Sequence, residues 1–293
     1  MSNQDQVISR RQFGLAAGLV AAGATTLPAG MLKRAQAADR STRIDNALVI
    51  GLSSSAGGTH TLVTHNDGRV TIQLLEGPAG VIIVDSGEAP QYAQSALQLA
   101  KSLNKPIDGV FISHDHPDHT GGLSAYEGVP IMTTSGILAN ITNGPFPKPS
   151  NLDQITAFDD AEISIGGLSL KIHNYKNAEA KEQIVIEAPA LDTAVVQDLV
   201  YNNCYLFPGM DRPNWISVLE DLQQSLDVQN LLVGHGYPAS SGELTAAIDY
   251  LNEYHDLVAR SADGEELAAK LKARWPDHLG EGLLKLQGFA FAG

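Results

Sequence analysis

The chain has 293 residues, of which 43% are hydrophobic, and it carries a formal net charge of −14 at pH 7. This length is sufficient for a sizeable core in one domain or in two closely joined halves. The acidic balance argues against a nucleic-acid partner and against anionic membrane surfaces, because phosphate-rich ligands require lysine and arginine. The single cysteine, Cys204, excludes an internal disulfide, and its apolar surroundings in the sequence favour a packed thiol.

The first 37 residues have the order of regions found in an export signal. Residues 9–13, Ser-Arg-Arg-Gln-Phe, resemble the twin-arginine export motif, and a glycine- and alanine-rich stretch over 15–26 follows. That stretch is too short and too weakly apolar for a good membrane span, and Ala35-Gln36-Ala37 offers a small-residue cleavage site. We therefore expect a twin-arginine signal peptide over 1–37, a mature domain over 38–293, and delivery to the periplasm or the cell exterior. The twin-arginine export machinery, which carries folded proteins, is the expected partner of the precursor.

The mature chain begins with patterns typical of a sheet-rich α/β protein. Predicted strands cover 47–52, 59–64, 70–75 and 81–84. The second and third of these strands are joined by His65-Asn66-Asp67-Gly68, a turn typical of β-hairpins. A predicted helix over 91–103 follows the fourth strand.

A dense group of metal-ligating side chains follows the next apolar strand. The strand covers residues 109–113 and ends at the run His114-Asp115-His116-Pro117-Asp118-His119. Imidazole and carboxylate are the ligands that zinc and similar borderline metals prefer. Alternation along an extended segment points the rings of His114 and His116 the same way, whereas the turn at Pro117 redirects the later side chains. One segment can therefore supply ligands to two neighbouring metal ions.

The His-x-His-x-Asp-His run after an apolar strand closely resembles the signature of the metallo-β-lactamase superfamily. Three further elements resemble that family's pattern in chain order: 81–87 with Asp85, 194–198 with Asp198, and 231–236 with His235. Gln197 stands where a glycine is usual. The resemblance covers most of the chain and implies an α/β fold, the αββα four-layer sandwich of the metallo-β-lactamase type. It also implies that Asp85 orients the metal site rather than binding metal.

The remaining predicted elements agree with two ββα-like halves. They are a strand over 129–132, a short helix to about residue 140, a proline-rich loop over 144–150 near the site mouth, a hairpin over 162–174 turning at Gly166-Gly167, and helices over 211–226 and 243–259.

The third ligand of one metal departs from the usual pattern of the family. Where the family usually has a histidine in a Gly-His-Thr-Pro-Gly turn, this chain has Glu179 in the stretch 178–183. A turn with glutamate as the third ligand resembles the alkylsulfatase branch of the superfamily. Its position in the pattern favours Glu179. His173 stays open as the alternative ligand, although strand alternation over 168–175 places it on the polar face.

The resemblance implies a dinuclear metal site. The implied ligands are His114, His116 and Glu179 for one ion, Asp118, His119 and His235 for the other, and Asp198 as the bridge between them. Two divalent ions would ionise a shared water at neutral pH; zinc is the default, and the negative charge of Glu179 makes manganese or iron more plausible. The metal-bound hydroxide would attack an ester, lactone, amide or sulfate ester, while Asp118 would orient it and shuttle its proton.

Further predictions concern substrate contacts and alternative functions. His60 and His65 flank the early hairpin and Tyr237 follows the last predicted ligand, so all three are candidate substrate-binding residues; exposed or packing roles are commoner for such side chains. The expected partner is a small-molecule substrate, which no motif in the sequence identifies. The alternative functions are a mononuclear iron, persulfide dioxygenase-like oxidoreductase and a non-catalytic metal-binding protein.

Overall fold

The computed structural model of this chain describes residues 40–44 and 47–291, with the backbone alone for the first segment. The predicted signal peptide over 1–37 lies outside the described residues. Within them, the strands form one sheet of eight strands and one sheet of six. No helix of this described part is both long enough and apolar enough to cross a membrane.

The first sheet contains eight strands in chain order. They are β1 (Arg40–Ile44), β2 (Ala47–Ser54), β3 (Gly57–Thr64), β4 (Thr71–Glu76), β5 (Val81–Val84), β6 (Ile107–Phe111), β7 (Ile131–Thr133) and β8 (Ile155–Ala157). Strands β1 to β5 pair antiparallel, which confirms the predicted β3–β4 hairpin, whereas β5 to β8 pair parallel. The carboxyl ends of β5 and β6 therefore meet at one edge of the sheet, where Asp85 and the histidine run follow them.

The second sheet has the strand order β14-β13-β12-β11-β10-β9. Its strands are β9 (Glu162–Ile165), β10 (Leu168–Lys176), β11 (Glu182–Ala188), β12 (Thr193–Asn202), β13 (Asn230–Gly236) and β14 (Ala239–Ser240). Strands β12 and β13 pair parallel, and the other neighbours pair antiparallel. The predicted β9–β10 hairpin turns at Gly166 and Gly167, whose φ angles of 64° and 75° suit glycine.

The described part of the chain has seven α-helices. They are α1 (Pro90–Ser102), α2 (Pro117–Thr120), α3 (Ser135–Asn143), α4 (Arg212–Ser225), α5 (Glu243–Ala259), α6 (Gly264–Arg274) and α7 (Glu281–Leu284). Helix α4 begins after Asp211, whose side chain accepts a hydrogen bond from the backbone amide of Asn214. The predicted helices over 211–226 and 243–259 are confirmed as α4 and α5.

Alternation along the second sheet divides its apolar residues between two cores. Ile184 and Ile186 belong to a buried cluster with the first sheet, whereas Val185 between them belongs to a cluster with α4, α5 and α6. The sheets therefore face each other and the helices lie outside, which confirms the αββα sandwich. Cys204 is buried, and burial raises the pKa of its thiol to about 12, as expected for a packed cysteine.

Candidate metal centre

Polar side chains from both sheets come together at one place. His114 follows β6, Glu179 lies between β10 and β11, Asp198 lies in β12, and His235 lies in β13. Strand β12 pairs with both β11 and β13, which brings Glu179, Asp198 and His235 near one another although they are far apart in sequence. Each of the four is at most 1% exposed. Burial of imidazole and carboxylate groups raises the free energy of the folded protein unless these polar groups share a partner.

The first group of candidate ligands consists of His114, His116, Glu179 and Asp198, whose ligand atoms all lie within 4.8 Å of one another. Nε2 of His114 lies 3.9 Å from Oε2 of Glu179 and 3.7 Å from Oδ2 of Asp198. Nδ1 of His116 lies 3.5 Å from Oε1 of Glu179. Two atoms that each lie about 2.1 Å from one tetrahedral ion are about 3.4 Å apart, so these distances suit a shared cation.

The second group consists of Asp118, His119, Asp198 and His235. Asp198 belongs to both groups: its Oδ1 lies 3.1 Å from Nε2 of His119, and its Oδ2 lies 3.1 Å from Nε2 of His235. Oδ2 of Asp118 lies 3.5 Å from Nε2 of His235. Gly234 leaves room for this arrangement, because a Cβ at that position would overlap the carboxylate of Asp198.

Several ligand atoms in these groups are buried without a hydrogen-bond partner. They are Nε2 of His114, Nε2 of His119, Oε2 of Glu179 and Oδ1 of Asp198. A buried polar atom without a partner is unfavourable, and coordination of a cation would satisfy all four. Imidazole nitrogens and carboxylate oxygens are donors that zinc, manganese and iron accept. The residues present therefore fit divalent metal binding.

Comparisons with known proteins agree with this geometry. Solved structures of the same fold include a metallo-beta-lactamase from Pontibacter korlensis, with a TM-score of 0.57 and 18% identity, covering 73% of this chain and 98% of that chain. A metallo-beta-lactamase from Erythrobacter litoralis has a TM-score of 0.57 and 15% identity, covering 73% and 100%. Residues 65–133, which include the histidine run, match the family model described as the Metallo-beta-lactamase superfamily. Residues 65–133 therefore resemble this superfamily in sequence, and the chain as a whole has the metallo-β-lactamase fold.

Two curated proteins are similar to this chain in sequence. A linear primary-alkylsulfatase from Pseudomonas sp. (strain ATCC 19151) is 39% identical over 268 residues, which cover 70% of this chain and 50% of the relative. The beta subunit of 2,4-dinitroanisole O-demethylase from Nocardioides sp. (strain JS1661) is 22% identical over 205 residues, which cover 69% of this chain and 64% of that relative. The chain therefore spans between half and two thirds of the length of these relatives.

Asp85 lies behind the metal-ligating edges of the histidines. Its carboxylate accepts hydrogen bonds from the backbone N and the Oγ of Ser113, both at 2.7 Å, and lies 2.7 Å from Nδ1 of His119. Oγ of Ser113 in turn lies 2.8 Å from Nδ1 of His114. Gln197, which stands where this superfamily usually has glycine, donates a further hydrogen bond to Asp85. These contacts leave the Nε2 atoms of both rings free to face the ligand groups.

The charges of the cluster depend on one another. Burial, and then the carboxylates of Asp198 and Asp118, raise the pKa of Glu179 well above its usual value. Burial also acts to raise the pKa of Asp198, but facing histidines, with His119 foremost, hold it well below its usual value. Burial and the proximity of His119 lower the pKa of His114, which favours the neutral imidazole that binds metals. A nearby cation would favour the ionised form of Glu179.

The alternative third ligand, His173, lies elsewhere. Its Nε2 is 3.0 Å from Oε2 of Glu187, and its ring stacks on Tyr175. It belongs to neither group of candidate ligands. The structure therefore brings Glu179, rather than His173, to the other ligands, and the predicted polar face of β10 carries His173.

The three predicted substrate contacts occupy different surroundings. Nε2 of His60 lies 3.1 Å from Oε2 of Glu76, on the neighbouring strand. His65 is exposed at the β3–β4 turn. Tyr237 follows β13, and its backbone oxygen accepts a hydrogen bond from the side-chain amide of Asn202. Their roles as substrate contacts remain predictions.

Tyr201 contacts the candidate ligands, although sequence reasoning did not select it. Its hydroxyl donates a hydrogen bond to Oδ2 of Asp198 at 3.0 Å. In a regular strand, residues three positions apart point to opposite faces, which would separate Tyr201 from Asp198. The pairing of β12 with β13 shifts in register between Gln197 and Tyr201, and this irregularity brings the two side chains to the same side. A sequence pattern of period two carries no signal for such a shift.

Two phenylalanines beside His116, and a third that contacts one of them, form what we name the aromatic rim. The ring centroids of Phe146 and Phe207 each lie 5.5 Å from that of His116. The ring centroid of Phe289 lies 5.8 Å from that of Phe207, and Phe289 is 61% exposed. The proline-rich loop over 144–150 therefore lies beside the site, as predicted. Phe289 was missed because it follows the last motif by many residues.

Proposed function

We propose that this chain is an exported, dinuclear metal-dependent hydrolase that cleaves sulfate esters of apolar alcohols. The observation that carries the proposal is the position of Glu179, which lies with His114, His116 and Asp198 in the first group. A glutamate at this place resembles the alkylsulfatase branch, and the 39% identical relative is a linear primary-alkylsulfatase. The match of residues 65–133 to the superfamily model supports the broader class of metal-dependent hydrolase.

Each group of candidate ligands would hold one ion in this proposal. His114, His116 and Glu179 would bind the first, Asp118, His119 and His235 would bind the second, and Asp198 would bind both. Two divalent ions, with zinc as the expected metal, supply positive charge that favours ionisation of water and stabilises negative charge developing on the substrate. The protein fixes two of these seven side chains from behind, because Asp85 and Ser113 hold the rings of His114 and His119.

Asp118 is the proposed catalytic residue. Its side chain is 31% exposed, against 12% for His116. Its Oδ2 lies 3.8 Å from Nε2 of His119, so the carboxylate stands at the solvent side of the second group. A carboxylate in that place can accept a proton from the attacking water and return it to the departing alcohol. The reaction consumes one water and yields the alcohol and hydrogensulfate.

The aromatic rim supports an apolar alcohol as part of the substrate. Phe146 and Phe207 each contact the ring of His116, and Phe289, which contacts Phe207, extends the apolar surface into solvent. An alkyl chain that covers these rings would remove apolar surface from water, which favours binding by about 25 cal/mol per Å² buried. The charged sulfate would then lie towards the ligand groups and the alkyl chain along the rim.

Metal content and a substrate panel test the proposal together. We would measure metal by mass spectrometry on the purified full chain, on Glu179→Ala, and on His173→Ala as the matched control. The panel holds a primary alkyl sulfate, a carboxylic ester, a lactam and 2,4-dinitroanisole. We expect about two ions per chain, hydrolysis of the alkyl sulfate, and loss of metal and activity in Glu179→Ala but not in His173→Ala.

Other outcomes would contradict parts of this proposal. A single iron without hydrolysis of any substrate would favour oxidative sulfur chemistry instead. Unchanged metal in Glu179→Ala would remove the glutamate from the ligand set. Metal without any activity would leave a non-catalytic metal-binding protein.

Export is the part of the proposal that rests on residues 1–37. The pair Arg10 and Arg11, the weakly apolar stretch and the small-residue cleavage site support it. Replacing both arginines with lysine should retain the precursor in the cytoplasm of the producing bacterium. Fractionation of cells followed by N-terminal sequencing of the product measures this, and secretion of the double variant at the parent level would exclude the twin-arginine route.

A further inference from the structure

The side chain of Tyr201 touches three of the seven candidate ligands. Its hydroxyl lies 3.0 Å from Oδ2 of Asp198 and 3.3 Å from Oε1 of Glu179. Its ring stacks on that of His235, with centroids 4.5 Å apart and planes 5° from parallel. One phenol therefore contacts the carboxylate shared by both groups, the distinctive glutamate of the first group and the terminal histidine of the second.

Backbone pairing fixes Tyr201 in this place. In the parallel ladder of β12 with β13, Tyr201 pairs with His235, which puts the two rings side by side. The irregular register between Gln197 and Tyr201 turns Tyr201 towards Asp198. The sheet thus fixes the backbone position of Tyr201 beside the ligands.

The charge of the first group explains why a donor is needed there. Glu179 stands where the superfamily usually has a neutral imidazole, so it adds a second buried carboxylate beside Asp198. An ionised carboxylate only accepts hydrogen bonds, and two that face each other repel. In the described part of the chain, Tyr201 is the side chain that donates a hydrogen bond to Glu179. The shared proton of its hydroxyl lies where it stabilises both carboxylates.

We propose that Tyr201 is a positioning residue that a glutamate at position 179 requires. Its hydroxyl ties Glu179 to Asp198 and holds both oxygens towards the first metal, and its ring holds His235. The inference rests on the proposed metal centre but not on the identity of the substrate. It implies that loss of the hydroxyl matters when residue 179 is a glutamate and matters little when it is an imidazole.

A four-protein cycle tests this pairing. The proteins are the parent, Tyr201→Phe, Glu179→His and the double variant, with Tyr205→Phe as the matched control. Tyr205 is a buried tyrosine whose hydroxyl donates to the backbone oxygen of Trp275 at 2.6 Å, so its replacement removes one hydrogen bond away from the ligands. Zinc affinity is measured by competition with a chromophoric chelator, and the visible absorption spectrum of the cobalt-substituted protein reports ligand geometry.

We expect Tyr201→Phe to weaken zinc affinity about 10- to 100-fold and to change the cobalt spectrum. In the Glu179→His background, the same replacement should change affinity by less than about threefold. Tyr205→Phe should leave affinity and spectrum at the parent level. Thermal unfolding of each protein separates a change at the metal from a loss of folding.

Two results would overturn the inference. If Tyr201→Phe had the same zinc affinity and cobalt spectrum as Tyr205→Phe, the phenol would not position the ligands. If Tyr201→Phe lost as much zinc affinity in the Glu179→His background as in the parent, Tyr201 would not act specifically with the glutamate. If Glu179→His retains no metal, the comparison of Tyr201→Phe with Tyr205→Phe alone decides. The expected affinities without hydrolysis of any panel substrate would contradict the proposed hydrolase and leave this inference standing.

Discussion

Oδ2 of Asp85 lies 2.7 Å from Nδ1 of His119. An imidazole that donates its Nδ1 proton to a carboxylate is held in one tautomer, so Nε2 of His119 is left to face Asp198. Ser113 extends the same control to His114, because its Oγ donates to Asp85 and lies 2.8 Å from Nδ1 of His114. One buried carboxylate therefore sets the orientation of two candidate ligands.

Replacing Asp85 with asparagine should weaken metal affinity about 10- to 100-fold, because the new amide group presents donors where Ser113 and His119 already donate. Chelator competition measures the change. Asp159→Asn is the control, since Asp159 is an exposed carboxylate that accepts hydrogen bonds from Ser135. Parent-like affinity in Asp85→Asn would contradict the orienting role.

Replacing Gly234 with alanine should disrupt the shared ligand. A Cβ at residue 234 would overlap Oδ1 of Asp198 and would lie 2.8 Å from its backbone nitrogen, so the carboxylate must move. We expect the free energy of unfolding to fall by about 1 to 3 kcal/mol, and bound metal to be lost. Denaturant unfolding and metal analysis measure these effects. Gly288→Ala is the control, because no heavy atom lies within 4 Å of its added Cβ.

Truncation of the aromatic rim should change substrate preference rather than metal binding. In Phe146→Ala, kcat/KM should fall about tenfold for a long-chain alkyl sulfate and stay near the parent value for a short-chain one. The reason is that only the long chain reaches the rim beside His116. Steady-state kinetics across chain lengths measures this, with Leu286→Ala as an exposed apolar control. An equal fall for all chain lengths would exclude the rim as a tail-binding surface.

The contact of Glu187 with His173 and Lys171 predicts a loss of stability in acid. Burial acts to raise the pKa of Glu187, but hydrogen bonds from Lys171 and His173 outweigh it and hold the pKa below its usual value. A carboxyl whose pKa is depressed by folding stabilises the protein at neutral pH, and this stabilisation disappears as pH falls through its folded pKa.

Glu187→Gln should therefore lower the free energy of unfolding at pH 7 by on the order of 1 kcal/mol and have less effect below pH 4. Urea unfolding over a pH series measures the difference between the two proteins. Glu220→Gln, on the exposed side of α4, is the control. A difference that does not change with pH would attribute the effect to packing.

Part of the candidate site follows from local patterns in the sequence, and part from the resemblance to the metallo-β-lactamase signature. The predicted strands that precede Asp85 and His114 are present as β5 and β6, and their parallel pairing brings the two residues to one sheet edge. Alternation also put His173 on the polar face of β10, where it pairs with Glu187. The position of each strand and the faces of its side chains depend on the period of a strand, which the sequence shows.

The features that were missed depend on departures from those rules. Tyr201 reaches Asp198 through an irregular register in β12, and no local residue pattern announces the shift. Phe289 reaches the site because the C-terminal helices return to the sandwich, which is a matter of packing between distant segments. Secondary-structure propensity and hydrophobic periodicity describe single helices and strands. The contacts of Tyr201 and Phe289 depend instead on how separate helices and strands pack and pair.

The candidate ligands are divided between the two sheets. The four in the run 114–119 follow a strand of the first sheet, whereas Glu179, Asp198 and His235 belong to the second. A cation held by both sets would act as a clamp across the sandwich, and its binding energy would add to the work needed to separate the sheets. A folding intermediate with one sheet formed could offer at most one set of ligands. Tight metal binding would then be a sign that both halves of the sandwich have docked.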